Sequence, residues 1–245
     1  MAGDEEVSYR EIAPHPLLRQ HIYCYWELQS KHPFASAYNF RAVSDGCTDI
    51  VIGLSRPKSF IVGFSNEYSE IPISYSFHCM GVRFLPTAFT SLYGIPASLM
   101  TNSMEFTQDV LPDLYQRVRL DICTQQPLGV RIRLLDSYFL DCLNNHSQYN
   151  DSRMTQALYQ LLVGINEPCR LYMEPSLVSD RQMRRLFQYY LGDSPKSFSR
   201  ILRFQHALRT GDSSAYYDQS HFIRDFHRFA GDIPSLLPQR QLCII

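Results

Sequence analysis

VSDRQMRRLF at residues 178–187 and YDQSHFIRDF at residues 217–226 are two passages with the same layout. Each starts with a short polar side chain suited to cap a helix, continues with polar and basic residues, and reaches an aromatic residue. GDSP at 192–195 closes the first passage and GDIP at 231–234 closes the second. Glycine followed by proline is a helix stop signal, so the pattern predicts two short helices.

The first passage has the residues of a DNA-reading helix. Ser179 and Gln182 are spaced as a capping box, and Met183 and Phe187 recur at the spacing of a buried helical face. The residues on the remaining faces are Arg181, Gln182, Arg184 and Arg185. Arginine and glutamine can bind phosphates or the edges of guanine and adenine in a major groove. We expect Arg181 and Gln182 to read bases, and Arg185 to contact phosphate or to pack.

The second passage predicts a second helix of the same kind. Asp218 can cap it, and Phe222 and Phe226 fall on its inner face. The residues that point outward are Gln219, Ser220, His221 and Arg224. A solvated helix face is the alternative interpretation for both passages, and the repeated layout favours DNA contact.

A third helix is predicted between the two passages, with Ser194 at its cap and Pro195 at its first position. Its first turn carries Lys196, which we expect to contact phosphate or to pack. Between residues 179 and 209, seven Lys and Arg stand against two Asp, a net charge of plus five, whereas the whole chain sums to −1. A basic helical segment in a nearly neutral chain is typical of a DNA reader.

Residues 176–235 resemble the C-terminal DNA-binding domain of the AraC/XylS family of bacterial transcription regulators. The matching residues are Ser179, Arg181, Arg185, Phe187, Gly192, Ser194, Pro195, Arg203, Asp218, Gln219, Ser220, His221, Phe222, Arg224, Phe226, Gly231 and Pro234. The resemblance implies two helix-turn-helix units joined by a long helix. It also implies that two recognition helices enter adjacent major-groove segments.

The second unit is shorter than the family pattern. Only residues 209–216 separate Leu208 from Tyr217, whereas a two-turn helix with its turns needs roughly ten or more. In the first unit, Pro175 interrupts the supporting helix at 170–174. We expect the second recognition helix to be locally unstable, or to be held by the N-terminal domain or by a second subunit.

The N-terminal half has a β pattern. Aromatic and β-branched runs at 21–28, 49–54, 59–64 and 74–84 predict strands of a small barrel or sandwich. Four short segments resemble the N-terminal domain of a subset of the same regulators: Tyr25-Trp26, Asp45-Gly46-Cys47, Asp49-Ile50 and Gly81-Val82-Arg83-Phe84. That resemblance, over residues 14 to about 140, implies a cupin-like domain that senses an effector or mediates pairing.

The predicted fold class is therefore α+β. A β-rich, cupin-like barrel with C-terminal helices occupies residues 1–143, and 144–152 form a polar linker. Residues 153–245 form an all-α, AraC-type double helix-turn-helix domain whose second unit is shortened.

A ligand pocket is the first of two open questions in the N-terminal domain. The candidate lining residues are Tyr25, Trp26, Arg41, Phe77 and Arg83, with the arginines as anchors for a small-molecule effector. The alternative is that the aromatic residues only fill a small barrel.

The second question concerns the predicted helix at 129–140. Ile132, Leu135, Phe139 and Cys142 form one apolar stripe, which suits either a homodimer contact or packing against the chain's own domain.

Several classes of protein are disfavoured. Seven cysteines without paired spacing argue for a reducing cytoplasm, and neither a signal peptide nor an apolar run of membrane-spanning length is present. Metal-ligand, phosphate-loop and nucleophile motifs are absent as well. We therefore expect no metal, no cofactor, no catalytic residue and no enzymatic activity.

The sequence predicts a cytoplasmic transcription regulator that binds double-stranded DNA and responds to an effector through its N-terminal domain. A homodimer or a contact with RNA polymerase is a further expected interaction. The alternative is an AraC-like protein with a degenerate helix-turn-helix that acts through protein–protein contacts. The operator, the effector and the sign of regulation are left open.

Overall fold

The chain has a β-rich N-terminal part and a helical C-terminal part in the computed structural model, which describes residues 7–55, 58–122, 126–145, 151–164 and 178–232. The strands are β1 (Val7–Ile12), β2 (Ile22–Ser30), β3 (Asn39–Ala42), β4 (Thr48–Gly53), β5 (Ser59–Val62), β6 (Ser69–Pro72), β7 (His78–Phe84) and β8 (Met104–Phe106). The helices are α1 (Ala88–Tyr93), α2 (Thr107–Val110), α3 (Pro112–Asp121), α4 (Leu128–Asn145), α5 (Ser152–Val163), α6 (Asp180–Tyr190), α7 (Pro195–Thr210) and α8 (Gln219–Ala230). The α+β prediction is confirmed. Within these ranges, no helix combines the length and the apolar character needed to cross a membrane.

Two antiparallel sheets form the N-terminal part. The larger sheet has the strand order β1-β2-β7-β4-β5-β8, and β3 pairs with β6 in the smaller one. Because successive strand residues point to opposite faces, Ile50 and Met80 lie in a core on one face of the larger sheet. Val51 and Cys79, their neighbours along the chain, lie on the other face and line a cavity. The likeness of this part to a cupin domain stays a prediction.

Helix α4 packs on the core face of the larger sheet. Leu135, Phe139 and Cys142 are buried there, and Ile132 packs against the same core. The rings of Phe139 and Phe84 meet edge to face with their centroids 5.6 Å apart. The apolar stripe is therefore used inside the chain, and the structure favours packing over the predicted dimer contact at this stripe.

A buried carboxylate ties α4 to the sheet. Glu27 on β2 contacts the guanidinium of Arg131 at 2.9 Å, Nε2 of His78 at 2.8 Å, and Arg10 on β1. Burial alone would raise the pKa of Glu27, but its hydrogen bonds with His78 and Arg10 and the charge of Arg131 hold the pKa below its ordinary value. The helix is thus fixed to the sheet by charge as well as by apolar packing.

The helix signals read from the sequence are confirmed in the C-terminal part. Ser179 and Gln182 form the reciprocal capping box of α6, Ser194 caps α7 with Pro195 in its first turn, and Asp218 caps α8. The predicted helix at 170–174 and its break at Pro175 lie outside the described residues. The predicted linker, 144–152, includes the last two residues of α4 and the first of α5, and its residues 146–150 are outside the described ranges too.

The two parts of the chain share a core. Phe64, from the loop after β5, is buried among α5, α6, α7 and α8, and its ring centroid lies 6.2 Å from that of Phe198. The loop before β4 joins this contact through Ser44. Its backbone N–H donates to the carbonyl of Phe229 at 3.0 Å, and its carbonyl accepts from the side chain of the buried Gln205 at 2.6 Å. The backbone of one residue of the N-terminal part therefore bonds to both α7 and α8.

The C-terminal end of α8 makes further contacts with the N-terminal part. The backbone N–H of Tyr68 donates to the carbonyl of Arg228 at 3.1 Å, and Arg41 on β3 pairs with Asp232 at 3.2 Å. Of the outcomes expected for the shortened second unit, the structure therefore has the helix held by the N-terminal part.

Two glycines allow this contact to be tested. Gly211 and Gly231 end α7 and α8 in the same left-handed conformation, with φ of 72° and 74°. A Cβ at position 211 would meet nothing within 4 Å, whereas one at position 231 would lie 2.6 Å from the ring of Tyr68. Gly211→Ala should cost only the backbone strain, about 1–2 kcal/mol. Gly231→Ala should cost about 1–3 kcal/mol more, because the Tyr68 ring must move.

The measurement is the free energy of unfolding in urea for both variants of the full chain. Equal losses would mean that the packing of Tyr68 against the end of α8 contributes nothing to stability.

Candidate functional site

Helix α6 presents a basic face to solvent. Met183, Phe187 and Tyr190 are buried in the helical core. Arg181, Gln182, Arg184 and Arg185 are all exposed on the remaining surface. The predicted division of this helix into a packed face and a polar face therefore holds.

Gln182 has a second task within the same helix. Its amide oxygen accepts hydrogen bonds from the backbone N–H of Ser179 at 3.0 Å and from the Ser179 hydroxyl at 3.1 Å. A bidentate contact with adenine needs both the oxygen and the nitrogen of the amide. While Gln182 completes the cap, only its amide nitrogen can be offered to a base.

Helix α7 contributes two exposed cations and uses two others internally. Lys196 is exposed in its first turn and Arg209 in its last. Arg200 pairs with the fully buried Asp225 of α8, and Arg203 stacks over the ring of Tyr216 at 5.6 Å. Two of the four Lys and Arg side chains of this helix therefore support α8 and the turn that precedes it.

Helix α8 exposes a smaller set of polar side chains than the sequence predicts. Gln219, Ser220 and Arg224 are exposed. His221 is half-buried, with its ring centroid 5.3 Å from that of Tyr216 and its Nε2 3.7 Å from Asp225. This histidine is placed as part of the packing between α7 and α8.

A single aromatic residue of the turn between α7 and α8 packs against both helices. No helix forms between α7 and α8, and residues 211–217 make a turn that folds Tyr216 back beneath α8. Tyr216 is 7% exposed and meets Phe222 at a centroid distance of 5.1 Å. Burial raises the pKa of its hydroxyl, which has no hydrogen-bond partner among the described residues.

Tyr216 and the adjacent Tyr217 provide a matched test of how much this packing stabilises the protein. Tyr216→Ala should lower the free energy of unfolding by about 3–5 kcal/mol, as for other large buried aromatic residues. Tyr217, which is 94% exposed, should tolerate alanine with a change of about 0.5 kcal/mol or less. Tyr216→Phe should be close to neutral, because the hydroxyl it loses has no protein partner.

Urea unfolding of the three variants checks the expectation. Similar losses for Tyr216→Ala and Tyr217→Ala would show that the turn does not support α8.

A cavity of about 350 Å³ lies between the two sheets of the N-terminal part. Apolar side chains form most of its wall, including Trp26, Leu28, Phe40, Val51, Phe60, Ile71, Ile73 and Phe77. The charged and titratable lining residues are Arg41, Asp45, Asp49, Lys58, His78 and Arg83. A volume of this size with an apolar wall and a few polar groups is typical of a small-molecule site.

Four of the five predicted pocket residues lie at this cavity and one does not, and the binding of a ligand there stays a prediction. Trp26, Arg41, Phe77 and Arg83 line the cavity. Tyr25 does not, because it follows the opposite face of β2 into the sheet–helix core, where its hydroxyl donates to Asp136 at 2.9 Å. Tyr25 and Trp26 point to opposite faces of β2, so the prediction that both line the cavity was wrong.

The predicted anchors are already paired. Arg83 donates to both oxygens of Asp49, at 3.1 and 2.8 Å, and its guanidinium lies 3.2 Å from Asp45. Burial raises the pKa of Asp45, and the neighbouring Asp49 adds to the rise although Arg83 opposes it. The cavity therefore ends in two carboxylates held around one arginine.

Sequence reasoning missed the residues that connect the cavity to the helices. Val43, Asp45 and Cys47 line the cavity, whereas Ser44 bonds to α7 and α8 and Gly46 lies against Phe198. Alternate residues of 43–47 point to opposite sides, as in a strand. The sequence did not predict this alternation, because Asp45-Gly46 is a typical turn pair. Among the described side chains, no group of three His, Cys, Asp or Glu residues could hold a metal ion.

Comparisons with known proteins bear on parts of this architecture. A family model described as a domain of unknown function, DUF6597, matches residues 10–105, which hold most of the two sheets. The sequence matches none of the curated proteins. A solved structure of ToxT from Vibrio cholerae is similar at 9% identity and a TM-score of 0.40, over 94% of this chain and 97% of that one. A ToxT variant has 11% identity and a TM-score of 0.37, with 94% of each chain covered. Similarity at this level does not carry a function over to this chain.

Proposed function

We propose that the protein is a sequence-specific, DNA-binding transcription regulator of the AraC type, with α6 as its main reading helix. The observation that carries the proposal is the exposed face of Arg181, Gln182, Arg184 and Arg185 on a capped and well-packed helix. A rigid helix that presents arginines is suited to enter a major groove.

The first contact is assigned to α6 because α8 offers less to DNA. Two potential DNA-contacting groups near α8, Arg200 and His221, are engaged in packing around Asp225. Gln219, Ser220 and Arg224 remain as the outward polar residues of its first half, and His227 and Arg228 are exposed in its last turn. We therefore propose that α6 supplies base reading and that α8 adds a weaker, second contact. Lys196 and Arg185 are assigned to phosphates.

The test begins by selecting a preferred duplex from a random pool with the full-length protein. Arg181→Ala should weaken binding to that duplex by about 1–3 kcal/mol and relax the preference at one base pair. Binding to an unrelated duplex should weaken less, because phosphate contacts are retained. Arg119→Ala, on the exposed side of α3 in the N-terminal part, is the matched control and should change neither affinity.

An equal loss on both duplexes would count against base reading by Arg181. If no duplex is selected even at low salt, where phosphate contacts are strongest, the alternative of action through protein–protein contacts would be favoured. The incomplete second unit is the observation that keeps this alternative open.

We further propose that the cavity makes DNA binding responsive to an effector through residues 43–47. Asp45 and Cys47 face the cavity. Of the residues that alternate with them, Gly46 lies against Phe198 of α7 and Ser44 bonds to both α7 and α8. A Cβ at position 46 would lie 3.0 Å from the ring of Phe198, so the loop has little room to move independently of the helices. A molecule that shifts Asp45 must therefore also shift the support of α8.

A filled cavity provides a test without a known effector. Val51→Phe places a larger ring in the cavity wall and should change the Kd for the selected duplex about fivefold or more. Gln205→Leu removes the hydrogen bond to Ser44 and keeps a side chain of similar size. In the Gln205→Leu protein, Val51→Phe should therefore change the Kd much less. An unchanged Kd for a folded Val51→Phe protein would contradict the coupling, and an undiminished effect in the double variant would contradict the route through Ser44.

A further inference from the structure

We infer that the cavity takes a compact aromatic or alicyclic molecule that presents a hydroxyl or an ammonium group, and that it discriminates against carboxylic acids. This inference rests on the proposed effector-responsive function and specifies the chemistry of its ligand. It reverses the expectation that Arg41 and Arg83 anchor an anion.

The reason is the charge around each arginine. Arg83 is held by Asp45 and Asp49. Arg41 is held by Glu70 at 2.9 Å and by Asp232 at 3.2 Å. Each guanidinium thus meets two carboxylates, so either cluster is net negative when both of its carboxylates are ionised. A ligand carboxylate would be repelled by the carboxylates already in place.

The other cationic groups of the described lining do not change this balance. Lys58 is exposed to solvent, where its charge is screened. His78 is engaged with the buried Glu27. The inner end of the cavity is therefore governed by Asp45 and Asp49, whose oxygens only accept hydrogen bonds when ionised.

The body of the ligand is set by the apolar wall. Trp26, Val51, Phe60 and Phe77 surround the space beside the two carboxylates. Aromatic walls favour a planar or cyclic body. The carboxylate oxygens already accept from Arg83 and from the backbone N–H of Cys47, and each can accept a further hydrogen bond from a donor at one end of the ligand. Burial disfavours the charge of Asp45, and a donor from the ligand would compensate for that cost.

Three probes with one shared body test the inference: 2-phenylethylamine, 2-phenylethanol and phenylacetate. Trp26 is the single tryptophan of the chain and lines the cavity, so its fluorescence reports entry of each probe into the full-length protein. We expect the amine to bind about tenfold or more tightly than phenylacetate, with the alcohol between them.

Asp49→Asn provides the diagnostic variant. Loss of this carboxylate leaves Arg83 with Asp45 alone, so the ratio of amine to acid affinity should fall about tenfold. Glu105→Gln on the edge strand β8, away from the cavity lining, is the matched control and should leave the ratio unchanged. The ratio compares two probes on one protein, so a general loss of stability does not imitate the effect. Val51→Phe should abolish the fluorescence response to all three probes.

Tighter or equal binding of phenylacetate by the wild-type protein would overturn the inference. So would failure of all three probes to bind up to their solubility limits, or a response that survives Val51→Phe. Each of these results leaves the selection of a DNA duplex untouched. A failure of the proposed DNA-binding function would be seen instead as the absence of any selected duplex.

Discussion

The arrangement of the molecule depends on two backbone hydrogen bonds of Ser44. Its N–H bonds to the last turn of α8 and its carbonyl bonds to Gln205 of α7, so a strand-connecting loop completes the hydrogen bonding of two helices. Buried backbone groups without partners are costly, and this bridge satisfies such a group on the helix side. The ring of Phe64 fills the adjacent core. The helices are therefore assembled around a piece of the β-rich part.

This arrangement explains how α8 keeps its order without a helix in the turn that precedes it. A helix of about twelve residues is only marginally stable alone in water, so α8 depends on contacts with its surroundings. Tyr216 covers one side of it, Arg200 neutralises the buried Asp225, and the N-terminal part binds its C-terminal end. Three different kinds of interaction replace one layer of helix packing.

The sequence was most informative where the signals were local. Caps and stops gave α6, α7 and α8, because Ser179, Ser194 and Asp218 act within one turn. Runs of β-branched and aromatic residues gave β2, β4, β5 and β7, whereas β3 (NFRA) and β8 (MEF) contain no such run. The bonding of Ser44 depends on tertiary contacts, and no local rule contains it. Tyr25 was predicted to line the cavity because it is aromatic. The alternation of strand residues puts it instead on the face opposite Trp26.

The packing of Phe64 into the helical core also has a consequence for inheritance. Where DNA-binding and sensing parts are joined by a simple linker, recombination can exchange one part and keep the other. Here a helical part transferred by itself would lack Phe64, Ser44 and Tyr68 of the β-rich part, and its own core would be left unfilled. The two parts must therefore change together, so a substitution in the loops that hold Ser44, Phe64 or Tyr68 has to be matched by one in the helices they contact.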